Sequence, residues 1–416
     1  MAKKRLHHSC PGILMTTLLC FFGLLLFFNS AYAADPVKIG IIGPMQIRPG
    51  IAIKQGAMMA ADEINAKGGI LGRKIELHYA DTEFSPEKGI TALNKLAVKD
   101  KVEVLIGGMT SGIVLAQMPY LSRYQLPFLG VAVASSTLTK LVKENYDKNK
   151  YFFRVGILKD QLLAFDMVNF MANYIGKKYG IKKVAILLEK AKWTEGLDQA
   201  FTGLFGKFGM EVVMAEFFEI KTNDYSPIFS KVKKSGAQMT VEVHSHVSEV
   251  FIKQYYDQKV PLPVGGIALA AQSSDFWERS GGKCVGEFTS NFIYRIPITP
   301  KTIPFWDGYV KRYKDDPLVT ATGTYDAIYV YKDAVERAGS FKADILIPAL
   351  EKTNYVAALG TIAFEADHDL KYGPDYVAIN WAQWQAPGKV AILYPEDRAT
   401  GKAVFPEWVK LPKMPE

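Results

Sequence analysis

The chain has 416 residues, and 50 Lys and Arg against 42 Asp and Glu give it a formal net charge of +8. That surplus is mild and scattered, which argues against the concentrated basic face of a nucleic-acid binder. The length exceeds one ordinary core, so two domains are expected, and the absence of a fixed-period repeat excludes a solenoid.

Residues Met1–Ala33 read as a secretory signal peptide: Lys3, Lys4 and Arg5, an apolar run from Ile13 to Phe28, then the small-x-small site Ala31-Tyr32-Ala33. The competing reading is a membrane anchor, but the run is short for a span. Cys20 invites a lipoprotein reading, yet Leu18 and Leu19 stand where that signal wants small residues. Cleavage before Ala34 is expected, leaving a product with no stable membrane insertion. Removing the leader leaves 47 of the 50 basic residues against 42 acids, a net charge of +5. Cys10 and Cys20 leave with it, so Cys284 stands alone and no intramolecular disulfide is possible.

A strand at Val37–Ile42 is followed by GPMQIRPGIAIKQG, where Arg48 falls at the strand end and Pro49-Gly50 reads as a turn. Arginine offers a planar fork that grips carboxylates at two points, though an exposed surface arginine reads the same way in sequence. From Gln55 the spacing of Ala57, Ala60, Ala61 and Ile64 predicts a helix with one small apolar face. Asn65 and Gly68-Gly69 mark its stop, and Ile75, Leu77 and Tyr79 alternate as a strand. The unit is strand–helix–strand, with a right-handed crossover.

Within that unit, ADEINAKGGILGRKIEL resembles the signature of bacterial solute-binding proteins of the leucine/isoleucine/valine class, the extracytoplasmic receptors of ABC importers. The resemblance continues more weakly from about Val37 to about Tyr394.

Further strands are predicted at Val102–Ile106, Pro127–Val131, Tyr151–Val155, Lys183–Leu188, Glu211–Phe218, Gln238–His244, Val264–Gly266 and Gly286–Ile293. Helices are predicted at Ser85–Lys99, Ser111–Tyr124, Trp193–Phe208, Tyr225–Lys234, Ser248–Gln258, Tyr325–Ala338 and Ala343–Lys352. This alternation indicates an α/β fold with parallel sheets covered on both faces. The resemblance implies more: two similar doubly wound parallel-sheet lobes joined by a three-crossing hinge, with the ligand in the cleft between them. It puts the crossings near Arg154–Gly156, Glu287–Asn291 and Asp375–Ala378. Lobe 1 is then 34–154 plus 290–376, and lobe 2 is 155–289 plus 377–416.

Enzyme motifs are missing: there is no GxxxxGK[ST] loop, no HExxH and no GxSxG. Glu242, His244 and His246 leave one face of one strand, but a flat strand spreads such positions over roughly 13 Å, too far to converge on a metal. The plainer reading pairs Glu242 with His244 and sends His246 to the cleft. Cys284 lies among glycines with no histidine nearby in sequence and reads as an incidental thiol.

The strongest site signal is GGMTSGIVLAQ, where a buried strand gives way to a helix start at Thr110-Ser111. Ligands of open α/β sheets sit beyond the carboxyl ends of strands, and free N–H groups there suit a carboxylate. Ser111 also reads simply as an N-cap. By the resemblance, this loop contacts the ligand carboxylate and Ser111 falls on the matching serine. The resemblance also brings Ala132 and Ala134 to the ligand; the family's threonine hydroxyl is missing at Ala134, and Ser135 or Ser136 either replaces it by a small register shift or serves only turn and capping chemistry. Trp193 takes the place of an aromatic, usually tyrosine, that closes over the ligand, with its π face and indole N–H both available. His246 departs from another aromatic contact. Where amino-acid binders of the class often carry a carboxylate for the ammonium, this chain has Ile267 and its neighbours. Either a counterion comes from elsewhere, with Glu242 and Asp326 as candidates, or the ligand has no ammonium.

The expected function is a periplasmic, non-enzymatic, cofactor-free and monomeric binding protein. It takes a small molecule, branched-chain amino acids first, and presents it to the membrane permease of an ABC importer. The alternatives are a receptor for an aromatic or aliphatic carboxylate lacking an ammonium, and a sensor feeding a separate signalling protein.

Overall fold

The computed structural model describes residues 1–2, 35–245 and 249–412. The leader with its cleavage site at Ala31-Tyr32-Ala33, the Ala34 terminus and His246 lie outside the described residues.

The first sheet is built from β1 (Val37–Gly43), β2 (Ile75–Asp81), β3 (Val104–Gly107), β4 (Phe128–Gly130) and β5 (Phe152–Arg154). Its order is β2-β1-β3-β4-β5 and every pairing is parallel. Apart from β2, which is half-buried, these strands are almost wholly buried, as a sheet covered on both faces requires.

The second sheet takes β6 (Lys183–Glu189), β7 (Glu211–Phe218), β8 (Met239–His244), β9 (Val264–Ala268) and β10 (Phe288–Asn291), all paired in parallel. After a small ribbon of β11 (Asn354–Val356) and β12 (Thr361–Ala363), the hairpin β13 (Asn380–Ala386) and β14 (Lys389–Tyr394) joins this sheet antiparallel beside β10. The order is β14-β13-β10-β9-β8-β6-β7. The molecule is thus an α/β fold with two mainly parallel sheets, and the chain reaches the second sheet again after a long helical excursion.

Three predicted helices begin four or more residues from their expected starts. The helix predicted from Gln55 spans Arg48–Ala66, and Pro49 sits in its first turn. The Pro-Gly pair is therefore helical: proline lacks the N–H that a first turn leaves unused anyway, and its fixed φ suits the helix. The helix expected from Trp193 begins at Leu197, because residues 190–196 form a compact turn. Buried Thr194 holds that turn, its hydroxyl donating to the carbonyls of Glu189 at 2.6 Å and Ala191 at 2.9 Å. The helix expected from Tyr325 begins six residues earlier, at Val319, and runs to Ala338. The β-branched, glycine-containing start VTATGT disguises it locally, and tertiary packing overrides the propensity.

Helices 48–66 and 319–338 pack against each other. A Cβ at Gly56 would stand 2.1 Å from the Ala321 carbonyl oxygen, so glycine is what permits this approach. On another side of helix 319–338, a Cβ at Gly323 would meet Val131 at 2.9 Å and the backbone of Gly156 at 3.0 Å. The start of this helix is thereby held against both the helix after β1 and the loops after β4 and β5.

Candidate functional site

A cavity of about 490 Å³ lies where the carboxyl ends of strands from both sheets meet. Its wall includes Thr110 and Ser111 after β3, Ala132 and Ala134 after β4, and Ile157 after β5. From the second sheet come Trp193 after β6, Ser245 after β8, Ile267, Leu269 and Gln272 at and beyond the end of β9, and Ser290 and Phe292 at β10. The start of helix 319–338 adds Val319 and Thr320. The volume falls within the range of small-molecule sites, and most of the lining is apolar.

Of the residues singled out from sequence, Thr110, Ser111, Ala132, Ala134, Trp193 and Ile267 line this cavity. Arg48 does not. Its guanidinium pairs with Asp275 and donates to both oxygens of Asp315, at 2.7 and 2.9 Å. Both outer nitrogens of the fork already engage carboxylates of the protein, so the two-point grip expected of it is made internally.

The β3 loop is shaped by glycine. Gly107 and Gly108 have φ of +128° and +78°, and a Cβ on Gly107 would stand 2.2 Å from the Ile42 carbonyl oxygen. The helix that follows spans Ser111–Tyr124, with Thr110 at the cap position and no side-chain cap bond. Ser111 is therefore the first helical residue rather than the N-cap. Its buried Oγ accepts from the Ser135 N–H at 3.2 Å, which ties the β3 and β4 loops together and leaves its own O–H to donate. The first N–H groups of a helix have no intrahelical acceptor, so this corner presents donors and a positive dipole end.

Trp193 presents less than the sequence suggests. Its indole N–H donates to Glu189 Oε1 and Ser245 Oγ, each at 3.1 Å. Glu189 is buried behind the wall. The one donor of the indole is used internally, so the tryptophan offers the cavity its ring surface.

The two acids considered as counterions are elsewhere. Glu242 is buried in β8 and its Oε2 lies 2.6 Å from His244 Nε2, the pairing read from their alternation. Asp326 is buried mid-helix and accepts the N–H groups of Ala358 and Leu359 at 2.9 and 3.0 Å; burial pushes its carboxyl up to about 7. Among the described residues, no Asp or Glu lines the cavity. Its two lysines, Lys192 and Lys221, are exposed, and Lys192 pairs with Glu195 at 2.6 Å. Cys284 is fully buried, and burial pushes its thiol up to about 11, which makes it a poor nucleophile.

Sequence reasoning did not single out Thr320, Gln272, Ser290 or Phe292. Gln272 was visible only as the end of an apolar run, and Thr320 lay in a stretch with no helical signal.

The pattern of the periplasmic binding protein family matches residues 36–378. This chain belongs to that family. Such proteins are the non-enzymatic, solute-binding components of ABC transporters, and the cavity between the sheets is where a small-molecule ligand is expected. Among its relatives is the Leu/Ile/Val-binding protein homolog 3 of Brucella melitensis, 27% identical over 370 residues, covering 86% of this chain and 95% of the relative. Two solved structures share the fold. One is the branched-chain amino acid transporter substrate-binding protein LivJ of Streptococcus pneumoniae with isoleucine (TM-score 0.73, 22% identity, 89% of this chain and 100% of that one). The other is a solute-binding protein of R. palustris with benzoate (TM-score 0.73, 19% identity, 90% of this chain and 99% of that one). No helix among the described residues is long and apolar enough to cross a membrane.

Proposed function

We propose that this protein is the periplasmic receptor of an ABC importer for a small carboxylic acid that has an apolar, aromatic or aliphatic body and no ammonium. One observation carries this reading: among the described residues no acidic side chain lines the cavity, whose wall includes Ile267, the residue that the family resemblance sets where amino-acid binders often carry a carboxylate. An unpaired ammonium in a closed cleft is penalised by several kcal/mol, whereas an apolar ligand end gains roughly 25 cal/mol per Å² against aliphatic walls. The carboxylate is held at the helix start of Thr110 and Ser111, and the ring of Trp193 covers the body. In this reading the lobes are 34–154 with 290–376 and 155–289 with 377–416, they close over the ligand, and the monomer presents the closed form to its permease.

The test is a matched pair of ligands titrated calorimetrically: an α-amino acid and the des-amino acid with the same side chain. The des-amino acid is expected to bind as tightly or more tightly. The names of the relatives favour branched-chain amino acids. A tenfold preference for the amino acid, about 1.4 kcal/mol, would establish that reading instead. It would direct attention to Glu189, the carboxylate behind Trp193 and Ser245.

A further inference from the structure

Phe84 lines the cavity, yet it is 43% exposed, and the backbone beneath it is strained. Glu83 and Phe84 have φ of +46° and +54°. Among the described residues no other two adjacent non-glycine residues both have positive φ. A side chain in that region crowds its own backbone, and a bulky residue such as phenylalanine is a genuine outlier there.

The surroundings impose this conformation. Asp81 ends β2, and its Oδ1 accepts the N–H groups of Met45 at 3.1 Å and Glu83 at 2.9 Å. Buried Thr82 donates its N–H to the Gly43 carbonyl at 3.0 Å, and the Ser85 N–H donates back to the Thr82 carbonyl at 2.9 Å. Ser85 then caps helix 86–94, its hydroxyl accepting the Lys88 N–H at 3.3 Å. The chain must pass from strand to helix cap within Thr82–Ser85, and both central residues of the turn take positive φ. Glycine or asparagine fills such a turn at little cost. A lone exposed phenylalanine needs no explanation, but strain retained beside a ligand cavity points to function.

We propose that Phe84 is a specificity-determining residue: its ring covers the end of the ligand body remote from the carboxylate, and the strained turn holds it there. The sheet order sets the geometry. β2 stands two strands from β3, about 10 Å away, and Thr110 and Ser111 follow β3. An acid held at Ser111 therefore meets Phe84 only when its body is long enough to span that distance. A short acid leaves the ring untouched, and a longer one packs its apolar end against it. This inference rests on the carboxylate reading above.

Two measurements on the purified protein test it: calorimetric titration with benzoate and with 4-phenylbutanoate, and thermal unfolding without ligand. Phe84→Ala removes the ring and keeps the strain, whereas Phe84→Gly removes both. Both variants are expected to lose tenfold or more in affinity for 4-phenylbutanoate and less than threefold for benzoate. Phe84→Gly is expected to melt at or above the wild-type temperature, and above Phe84→Ala. Affinity for both acids unchanged, or lost equally for both, overturns the role of Phe84 and leaves the carboxylate reading standing. So does a wild-type protein that binds benzoate and excludes 4-phenylbutanoate. A Phe84→Gly protein that melts below the wild type also overturns the proposal, because the ring would then serve the fold. Failure of both acids to bind the wild-type protein overturns both readings together.

Discussion

Arg154 Nε and Asp369 Oδ1 lie 2.9 Å apart with both side chains fully buried, joining residues 215 positions apart in sequence. Arg154 ends β5, the edge of the first sheet, and its NH2 also donates to the Ser135 carbonyl at 2.9 Å. Thr139 and Lys159 reach the second oxygen of Asp369, at 3.0 and 3.3 Å. The pair thus fastens the return segment around residue 369 to the loop that carries Ser135, the partner of Ser111. Asp369→Ala leaves a guanidinium buried without its counter-charge. Its expected cost is about 3–5 kcal/mol of folding stability. Urea unfolding measures it, and a loss under 1 kcal/mol would show that water reaches the pair.

Ser111→Ala is expected to weaken ligand binding by about 1–2 kcal/mol, the scale of a hydrogen bond to a charged group. Because Ser111 is not the cap of its helix, folding stability should fall by less than binding does. Titration and thermal unfolding of the same preparation separate the two. An unaltered affinity would confine Ser111 to its bond with Ser135.

Trp193 is expected to act through its ring. Trp193→Phe keeps an aromatic face and should retain affinity within about threefold, while Trp193→Ala should lose about tenfold or more. The phenylalanine variant removes a donor from buried Glu189, so its stability should drop by about 1–2 kcal/mol. Equal losses of affinity in both variants would assign the indole N–H to the ligand.

Glu287 gives the protein a pH dependence of defined sign. It is fully buried beside Glu242, and burial together with the charge of Glu242 pushes its carboxyl well above the ordinary 4.5. The folded state therefore holds a proton that the unfolded state releases. Its contribution is fully present below pH 4.5 and is lost progressively as pH rises from there toward the folded value. Glu287→Gln removes a proton-linked cost and should raise the melting temperature above neutral pH while changing it little near pH 4. A variant with the wild-type pH profile would show that another group sets it.

Arg48 joins elements attached to different sheets, since its own helix follows β1 and Asp275 follows β9. The groups are partly exposed, so Arg48→Ala should cost under about 1 kcal/mol of binding at low salt, and the difference should vanish in about 1 M salt. Titrations at two ionic strengths decide it; a salt-independent loss would place the guanidinium on the ligand.

The sequence alone determined the elements whose signals are local. Strand β7 and the helix 111–124 have the bounds that alternation and periodicity predict, and the small face of Ala57, Ala60 and Ala61 announces close packing. A signature word of this class pointed to the family, and a loop after a buried strand pointed to Thr110 and Ser111. Tertiary structure alone decided what depends on distant partners. No local pattern shows that Asp275 and Asp315 fill the fork of Arg48, or that Glu189 takes the indole proton of Trp193. Nor does any show that VTATGT becomes helix: its β-branched residues favour strand, and Gly56 against Ala321 and Gly323 against Gly156 supply the packing that reverses the preference. Thr320 reaches the wall of the cavity only because those contacts form, and that placement is a property of the folded chain, invisible in the order of its residues.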